Sequence, residues 1–193
     1  MEKTDRNKEI IIASARRLFS KYGFKKTTMD EIAVQAGKGK SSLYYYYESK
    51  EEVFAAVVEE ESQHLQEKIN TAIRKEETAS EKLKAYVKSS IKTIQEMANL
   101  NEAIQNEFLS NYAFIEKIRK KYHEQETATV QKILDLGIKN ERFELPDTSF
   151  TARVIVRVIK ALEIPLRMDM PERDLEAEVE SVMQIILYGI LKR

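Results

Sequence analysis

Hydroxyl residues that can start a helix recur along this chain, and they constrain its fold more than any other feature. Thr28, Ser49 and Thr78 are each followed three positions later by glutamate. In this capping-box pattern the hydroxyl and the glutamate bind free backbone N–H groups at the start of a helix. Only 5 glycines and 3 prolines occur in 193 residues, which leaves little room for hairpins. The sequence therefore predicts an all-α protein, with about nine helices.

The rest of the composition narrows the class of protein. The chain has no cysteine, so it has no disulfide, Cys-based metal site or Cys nucleophile, as is usual in a reducing cytoplasm. No apolar run approaches the roughly 20 residues that cross a bilayer. The N-terminus, MEKTDRNKEIII, is charged and lacks the apolar region of a signal peptide. We expect a cytoplasmic protein with no membrane contact and no cofactor.

Charge is unevenly distributed along the chain, although its net value is zero. Residues 1–50 contain 11 Lys and Arg against 6 Asp and Glu, a net charge of +5, and the remainder carries −5. A basic head on an acidic body suggests that the head meets an anionic partner. The alternative is a chance distribution over a mixed surface.

The first predicted helix carries one apolar stripe and ends at a glycine. Gly23 is expected to adopt the left-handed conformation that ends a helix, with Phe24 contacting Phe19 across the ending. The stripe recurs at helical spacing and comprises Ile11, Ala15, Leu18 and Tyr22.

Two short helices follow, joined by a glycine turn. The first begins at Thr28 and stops at Gly37, and the second starts after Gly39, near its N-cap. The second helix runs from about Lys40 to Tyr47. Its inward side holds Leu43 and Tyr47, and its outward side holds Lys40, Ser41, Tyr44 and Tyr45. Two short helices with a turn of about 3–4 residues are typical of a helix-turn-helix.

The segment Gly39-Lys40-Ser41 also resembles the end of a phosphate-binding nucleotide loop. That loop requires G-x-x-x-x-G-K-[ST] after a buried strand. Here Val34 occupies the position of the first glycine, and a capped helix precedes the turn. Both requirements fail, which excludes the nucleotide loop.

Lys50 lies in the first turn of the fourth predicted helix, which Ser49 and Glu52 cap. A cation at this position opposes the helix macrodipole. Free N–H groups and a lysine charge at a helix start can bind phosphate, which is one interpretation of this lysine. Taken alone, the position favours the alternative, an exposed lysine with no role.

The stretch FSKYGFKKTTMDEIAVQAGKGKSSLYYYYESKEEVF, residues 19–54, resembles the DNA-binding head of the TetR transcriptional regulators. The resemblance covers roughly the first 55 residues; the rest agrees in length and helical character only. The matching positions are Tyr22-Gly23, Thr27-Thr28, Ile32-Ala33, Ala36-Gly37, Leu43-Tyr44, Tyr47 in the usual Phe position, and Ser49-Lys50-Glu51. The departures are Lys38 for an apolar residue, Gly39 for Ser, Ser41 for Gly and Tyr46 for His.

The resemblance implies an all-α protein with an N-terminal three-helix head, residues 1–50, and a larger helical ligand-binding and dimerisation domain, residues 51–193. It implies base contacts in the major groove from Lys40, Ser41 and Tyr45. It implies phosphate or sugar contacts from Thr28, Ser42, Tyr44, Tyr46 and Lys50. Which of Tyr44, Tyr45 and Tyr46 touches a base stays open.

The body is expected to bind a small-molecule effector and to form a homodimer, again as the resemblance implies. Candidate ligand residues are aromatic residues and a methionine of the middle helices, which are otherwise ordinary core: Tyr86, Met97, Phe108, Tyr112 and Tyr122. Candidate interface residues form wide apolar stripes on the last two helices: Val154, Val158, Leu162, Val179, Met183, Ile186 and Ile190. The alternative is that both stripes close the core of the monomer.

Two other classes of function compete with this hypothesis. Glu61 and His64 have the Glu-x-x-His spacing of di-iron bundle proteins, but the other histidine, His123, has Lys120 where the second glutamate should be. We therefore expect neither a metal site nor an enzyme. A helical partner-binding module is the other alternative. The favoured prediction is a bacterial-type regulator, most simply a repressor that an effector releases from a palindromic operator in double-stranded DNA; activation stays open.

Overall fold

The computed structural model describes residues 3–96, 113–140, 143–163 and 172–190. These ranges contain eight α-helices, close to the predicted number, and no strand. In chain order they are α1 Lys3–Lys26, α2 Met29–Gln35, α3 Lys40–Tyr46, α4 Lys50–Arg74, α5 Ala79–Glu96, α6 Ala113–Lys139, α7 Thr148–Glu163 and α8 Glu172–Ile190. The all-α fold class is confirmed.

The chain divides into two compact units. The first holds α1 to α3, the part of α4 up to His64, and the start of α6 up to Ile118. The second holds α4 from Leu65, α5, α6 from Arg119, α7 and α8. This division runs through α4, whereas the predicted domains meet at residues 50 and 51.

Three phenylalanine rings form the centre of the first unit. The Phe54 ring lies 5.1 Å from that of Phe19 and 4.9 Å from that of Phe24, and the Phe19 and Phe24 rings are 5.9 Å apart. All three side chains are buried. Each burial contributes about 1.5–3 kcal/mol, and each ring pair about 0.5–1.5 kcal/mol more. The predicted contact between Phe19 and Phe24 is confirmed.

The end of α1 differs from the prediction in two respects. Gly23 has φ 78° and ψ 162°, which is a positive φ outside the left-handed helical region, and helical structure resumes from Phe24 to Lys26. Gly23 therefore interrupts the helix instead of ending it. Tyr22 is 50% exposed, so its place in the inward stripe is wrong, and Phe19 occupies the core position beside Ile11 and Ala15.

Two of the three predicted capping boxes are complete. The Thr28 hydroxyl accepts from Glu31 N while the Glu31 carboxylate accepts from Thr28 N, and Thr78 and Glu81 repeat the arrangement. At Ser49 only half of the box forms. Glu52 N donates to the Ser49 hydroxyl, but the Glu52 carboxylate accepts from Glu48 N, one residue earlier than predicted.

In the second unit, α5 packs against α7 and α8. Its buried apolar side includes Leu83, Val87 and Ile91. Asp147 caps α7 by accepting from Phe150 N at 2.9 Å. Gly137 lies against the buried Phe143 ring, which a Cβ atom at position 137 would overlap.

Candidate nucleic-acid interface

The turn between α2 and α3 is a Schellman ending. Lys38 N donates to Ala33 O at 2.9 Å and Gly37 N donates to Val34 O at 3.0 Å. Gly37 has φ 62°, as predicted for its left-handed position. Gly39 is the N-cap of α3 and supplies no side-chain hydrogen bond. Backbone hydrogen bonds therefore hold the turn between the two helices.

The recognition helix, α3, has one buried and one exposed side. Leu43 is completely buried against the head. Tyr45 is 80% exposed and Tyr44 is 43% exposed, while Ser41 is exposed and Ser42 half-buried. The outward face predicted for this helix is confirmed, and Tyr45 is its most prominent side chain.

Lys40, at the start of α3, pairs with Asp30 of α2. Its Nζ lies 2.8 Å from Oδ1 and 3.0 Å from Oδ2 of Asp30. The hydrogen bond and the charge of Asp30 raise the pKa of Lys40, so the ammonium form persists at any physiological pH. Both side chains are exposed, and such pairs are weak enough for a nucleic acid to displace. Thr28, by contrast, uses its hydroxyl in the capping box.

Tyr47 ends α3 and is only half-buried, whereas Leu43 is fully buried. Burial raises the pKa of the Tyr47 phenol, and the charges of Glu60 and Glu52 raise it further. The phenol is therefore neutral at physiological pH. Its inward direction agrees with the prediction, but its packing is less complete.

Lys50 has an internal role that sequence reasoning missed. Its Nζ donates to Phe24 O at 2.8 Å and lies 4.4 Å from the centre of the Phe24 ring. The ammonium thus fixes the turn that follows Gly23 against the start of α4. This contact explains a cation in the first turn of a helix. A phosphate contact through the remaining N–H groups of Lys50 stays a prediction.

Asn7 of α1 is a second residue that sequence reasoning missed. Its Oδ1 accepts from Lys38 Nζ at 2.7 Å, and its Nδ2 donates to the Tyr46 hydroxyl at 2.9 Å. The Tyr46 ring also packs edge-on against Tyr45, with the ring centres 5.1 Å apart. Tyr46 is therefore tied to α1 and is half-buried, so it is not a freely exposed contact like Tyr45.

Comparison with known proteins decides what this head is. Residues 11–57 match the family model described as bacterial regulatory proteins, tetR family. Residues 11–57 therefore form a tetR-family head.

Similar solved structures extend this likeness to most of the chain. A transcriptional regulator from Cytophaga hutchinsonii is 28% identical with a TM-score of 0.80, over 95% of this chain and 98% of that one. FadR from Bacillus subtilis, solved in complex with stearoyl-CoA, is 22% identical with a TM-score of 0.75, over 94% and 98%. A regulator of the TetR/AcrR family from Thermobifida fusca is 23% identical with a TM-score of 0.74, over 96% and 98%. No curated protein matches the chain.

The candidate ligand residues of the body fall into three groups. Tyr86 is completely buried, and its hydroxyl lies 3.5 Å from Oε2 of the buried Glu126, whose Oε1 accepts from Lys160 Nζ at 2.9 Å. Tyr122 is half-buried. Met97, Phe108 and Tyr112 lie outside the described residues. The ligand role of Tyr86 and Tyr122 stays a prediction.

The candidate dimer residues also differ in exposure. Val154 and Val158 are exposed on α7, and Phe150, which the prediction omitted, is exposed four residues earlier. Val179 and Met183 of α8 are buried within the second unit, so they are not available at a free surface, because the unit's own core covers that side of α8. Ile186 is half-buried, and the side chains of Leu162 and Ile190 lie outside the described residues.

The two residues behind the di-iron alternative differ in burial. Glu61 is buried and His64 is exposed, so the two side chains do not share one environment. Across residues 3–96, 113–140, 143–163 and 172–190 no group of three or more His, Asp or Glu side chains could hold a metal ion. None of the helices described here is long and apolar enough to cross a membrane.

The requirement for glycine at position 37 can be tested by substitution, with Gly39 as the comparison. Gly37→Ala should lower the free energy of unfolding by about 1–2 kcal/mol, because an L side chain is strained at positive φ. Space is no obstacle, since nothing lies within 4 Å of a Cβ at either glycine. Gly39→Ser, at φ −70°, should be neutral or stabilising by a few tenths of a kcal/mol, because it adds the missing cap hydroxyl. Urea unfolding followed by circular dichroism measures both. Equal effects would contradict this account of the turn.

Proposed function

We propose that this tetR-family protein is a ligand-responsive, sequence-specific repressor that a small-molecule effector releases from a palindromic operator. The observation that supports it best is the exposed tyrosine face of α3, held outward by a buried Leu43 and a backbone-fixed turn. Binding to DNA places the protein in the cytoplasm, and no catalytic step or cofactor is part of the proposal.

In this proposal α3 enters the major groove and Tyr45 reads a base edge. Tyr45 is nearly twice as exposed as Tyr44, and Tyr46 is tied to Asn7. A tyrosine ring offers rigid apolar area that suits a thymine methyl, with a hydroxyl for a polar partner. Lys40 and Ser41 are the other base contacts, and Thr28, Ser42, Tyr44, Tyr46 and Lys50 contact the backbone.

Two heads on one palindrome require a two-fold partner, and α7 offers a surface for it. Phe150, Val154 and Val158 recur every fourth residue and are all exposed. Side chains at this spacing lie on one face of a helix. We assign this face, together with Ile186, to a homodimer interface, because a symmetric dimer presents the same patch from both copies.

The effector is proposed to bind in the second unit, near the Tyr86 hydroxyl. This hydroxyl lies at the long limit of hydrogen-bond distance from Glu126. A polar group of a ligand could displace that contact. Differential affinity of the ligand for the DNA-free conformation would then lower DNA affinity.

The role of Tyr45 can be tested by selecting bound duplexes from a random pool. Tyr45→Ala should change which half-site is preferred, because it removes a base-reading side chain. Tyr22→Ala is the matched control, since Tyr22 is 50% exposed on α1. The control should select the wild-type sequence. An unchanged preference in Tyr45→Ala would refute the base contact, and no selection by the wild type would refute the regulator itself.

The dimer surface can be tested by light scattering at micromolar concentration. Val154→Glu and Val158→Glu should each shift the mass toward the monomer, because a buried unpaired carboxylate opposes association. Val34→Glu, at an exposed valine of α2, should leave the dimer mass unchanged. A monomeric wild type would contradict the proposed dimer, and a dimeric double variant would exclude this face.

Stearoyl-CoA is the first effector to test, because a fold relative binds it. It should lower the affinity of the protein for its selected duplex, as measured by fluorescence anisotropy, while free coenzyme A should not. Tyr86→Phe should weaken the response without changing DNA affinity in the absence of effector. If stearoyl-CoA and free coenzyme A act alike, the acyl thioester is excluded as effector.

A further inference from the structure

Three residues from separate parts of the head form one hydrogen-bonded chain. Lys38 belongs to the turn, Tyr46 to the last turn of α3, and Asn7 to the beginning of α1. Asn7 lies 31 residues from Lys38 and 39 residues from Tyr46 in the sequence, yet it binds both. Lys38 and Tyr46 are also two of the four positions at which this head departs from the usual tetR-family pattern.

The direction of these hydrogen bonds determines which N–H and O–H donors remain on Lys38 and Tyr46. The carboxamide oxygen of Asn7 accepts from the Lys38 ammonium, and its NH₂ group donates to the Tyr46 oxygen. A reversed amide would aim its NH₂ group at the ammonium, so Lys38, which can only donate, fixes this orientation. Tyr46 therefore keeps its own O–H hydrogen, and Lys38 keeps two N–H donors. All of these donors suit an anionic acceptor.

The charge of Lys38 is also preserved. Lys40, two residues later, pairs with the carboxylate of Asp30, whereas Lys38 binds the neutral amide of Asn7 and no carboxylate among the described residues. An asparagine can hold an ammonium in place without neutralising it, which an aspartate could not do. The arrangement thus presents a positioned cation and a positioned hydroxyl beside the exposed Tyr45.

We infer that Lys38 and the Tyr46 hydroxyl bind one phosphate of the DNA backbone, and that Asn7 is the positioning residue for both. Because the Tyr46 ring packs against Tyr45, the same anchor also fixes the side chain proposed to read a base. This inference rests on the proposed DNA-binding function and adds to it a phosphate site that includes a residue of α1.

The test uses the full chain and a duplex that the wild type selects from a random pool. Lys38→Met should weaken binding on the order of tenfold near 0.1 M salt, since it removes a charge-assisted hydrogen bond. It should also reduce the slope of log K against log salt by about 0.9 per subunit, the share of one phosphate. Tyr46→Phe should weaken binding less and leave the preferred sequence unchanged.

Asn7→Asp separates a positioning role from a structural one. The new carboxylate would neutralise the Lys38 charge and accept the Tyr46 hydrogen, so the phosphate would lose the net positive charge and the hydroxyl donor. The thermal midpoint should be no lower than that of the wild type, while DNA affinity falls on the order of tenfold with a reduced salt slope. In the Asn7→Asp background, Lys38→Met should cause little further loss of slope.

Lys21→Met is the matched control, because Lys21 is an exposed lysine of α1 about 21 Å along the helix from Asn7. It should retain the wild-type salt slope. If Lys38→Met behaves like Lys21→Met, or if Asn7→Asp binds DNA as tightly as the wild type, the phosphate site is refuted while the regulator function stands. A wild type that selects no sequence refutes the regulator function and this site with it.

Discussion

The packing of Phe54 against Phe19 and Phe24 is the interaction on which the head depends. It joins the first turns of α4 to the end of α1, and the Lys50 ammonium strengthens the junction by binding Phe24 O. The interruption at Gly23 turns Phe24 back into this core. Without that backbone conformation the ring would follow the line of α1 instead of meeting α4.

The recognition surface is built on this base with few side-chain contacts. The buried Leu43 anchors α3, and the turn at Gly37 sets the direction of the helix. The tyrosines on its outer side differ in exposure. Tyr45 is the most exposed, and Tyr46 is held by Asn7. The Tyr46 ring, held in this way, packs against Tyr45 and restricts its motion. Side chains that are already restricted lose little conformational entropy on binding, which favours contact with DNA.

The second unit has a different physical character. It buries a carboxylate, Glu126, between a tyrosine hydroxyl and the partly exposed Lys160 ammonium. Truncating Lys160 would leave this buried carboxylate without the cation that pairs with it. The same helix, α7, carries exposed apolar side chains at Phe150, Val154 and Val158.

The sequence by itself determined the features whose cause is local. It predicted the all-α class, the starts of most helices, the glycine turn at Gly37 and the outward side of α3, because each depends on residues within about one helical turn. The family-specific pattern of the head also depends on this local spacing.

Only the tertiary structure decided the partners that lie far apart in the chain. Lys50 binds a carbonyl 26 residues away, and Asn7 reaches Lys38 and Tyr46 across more than 30 residues. It also decided that Val179 and Met183 are covered while Val154 and Val158 are exposed, although all four belong to apolar stripes. Helical periodicity shows that a face is apolar, but which neighbour buries it depends on how the helices pack.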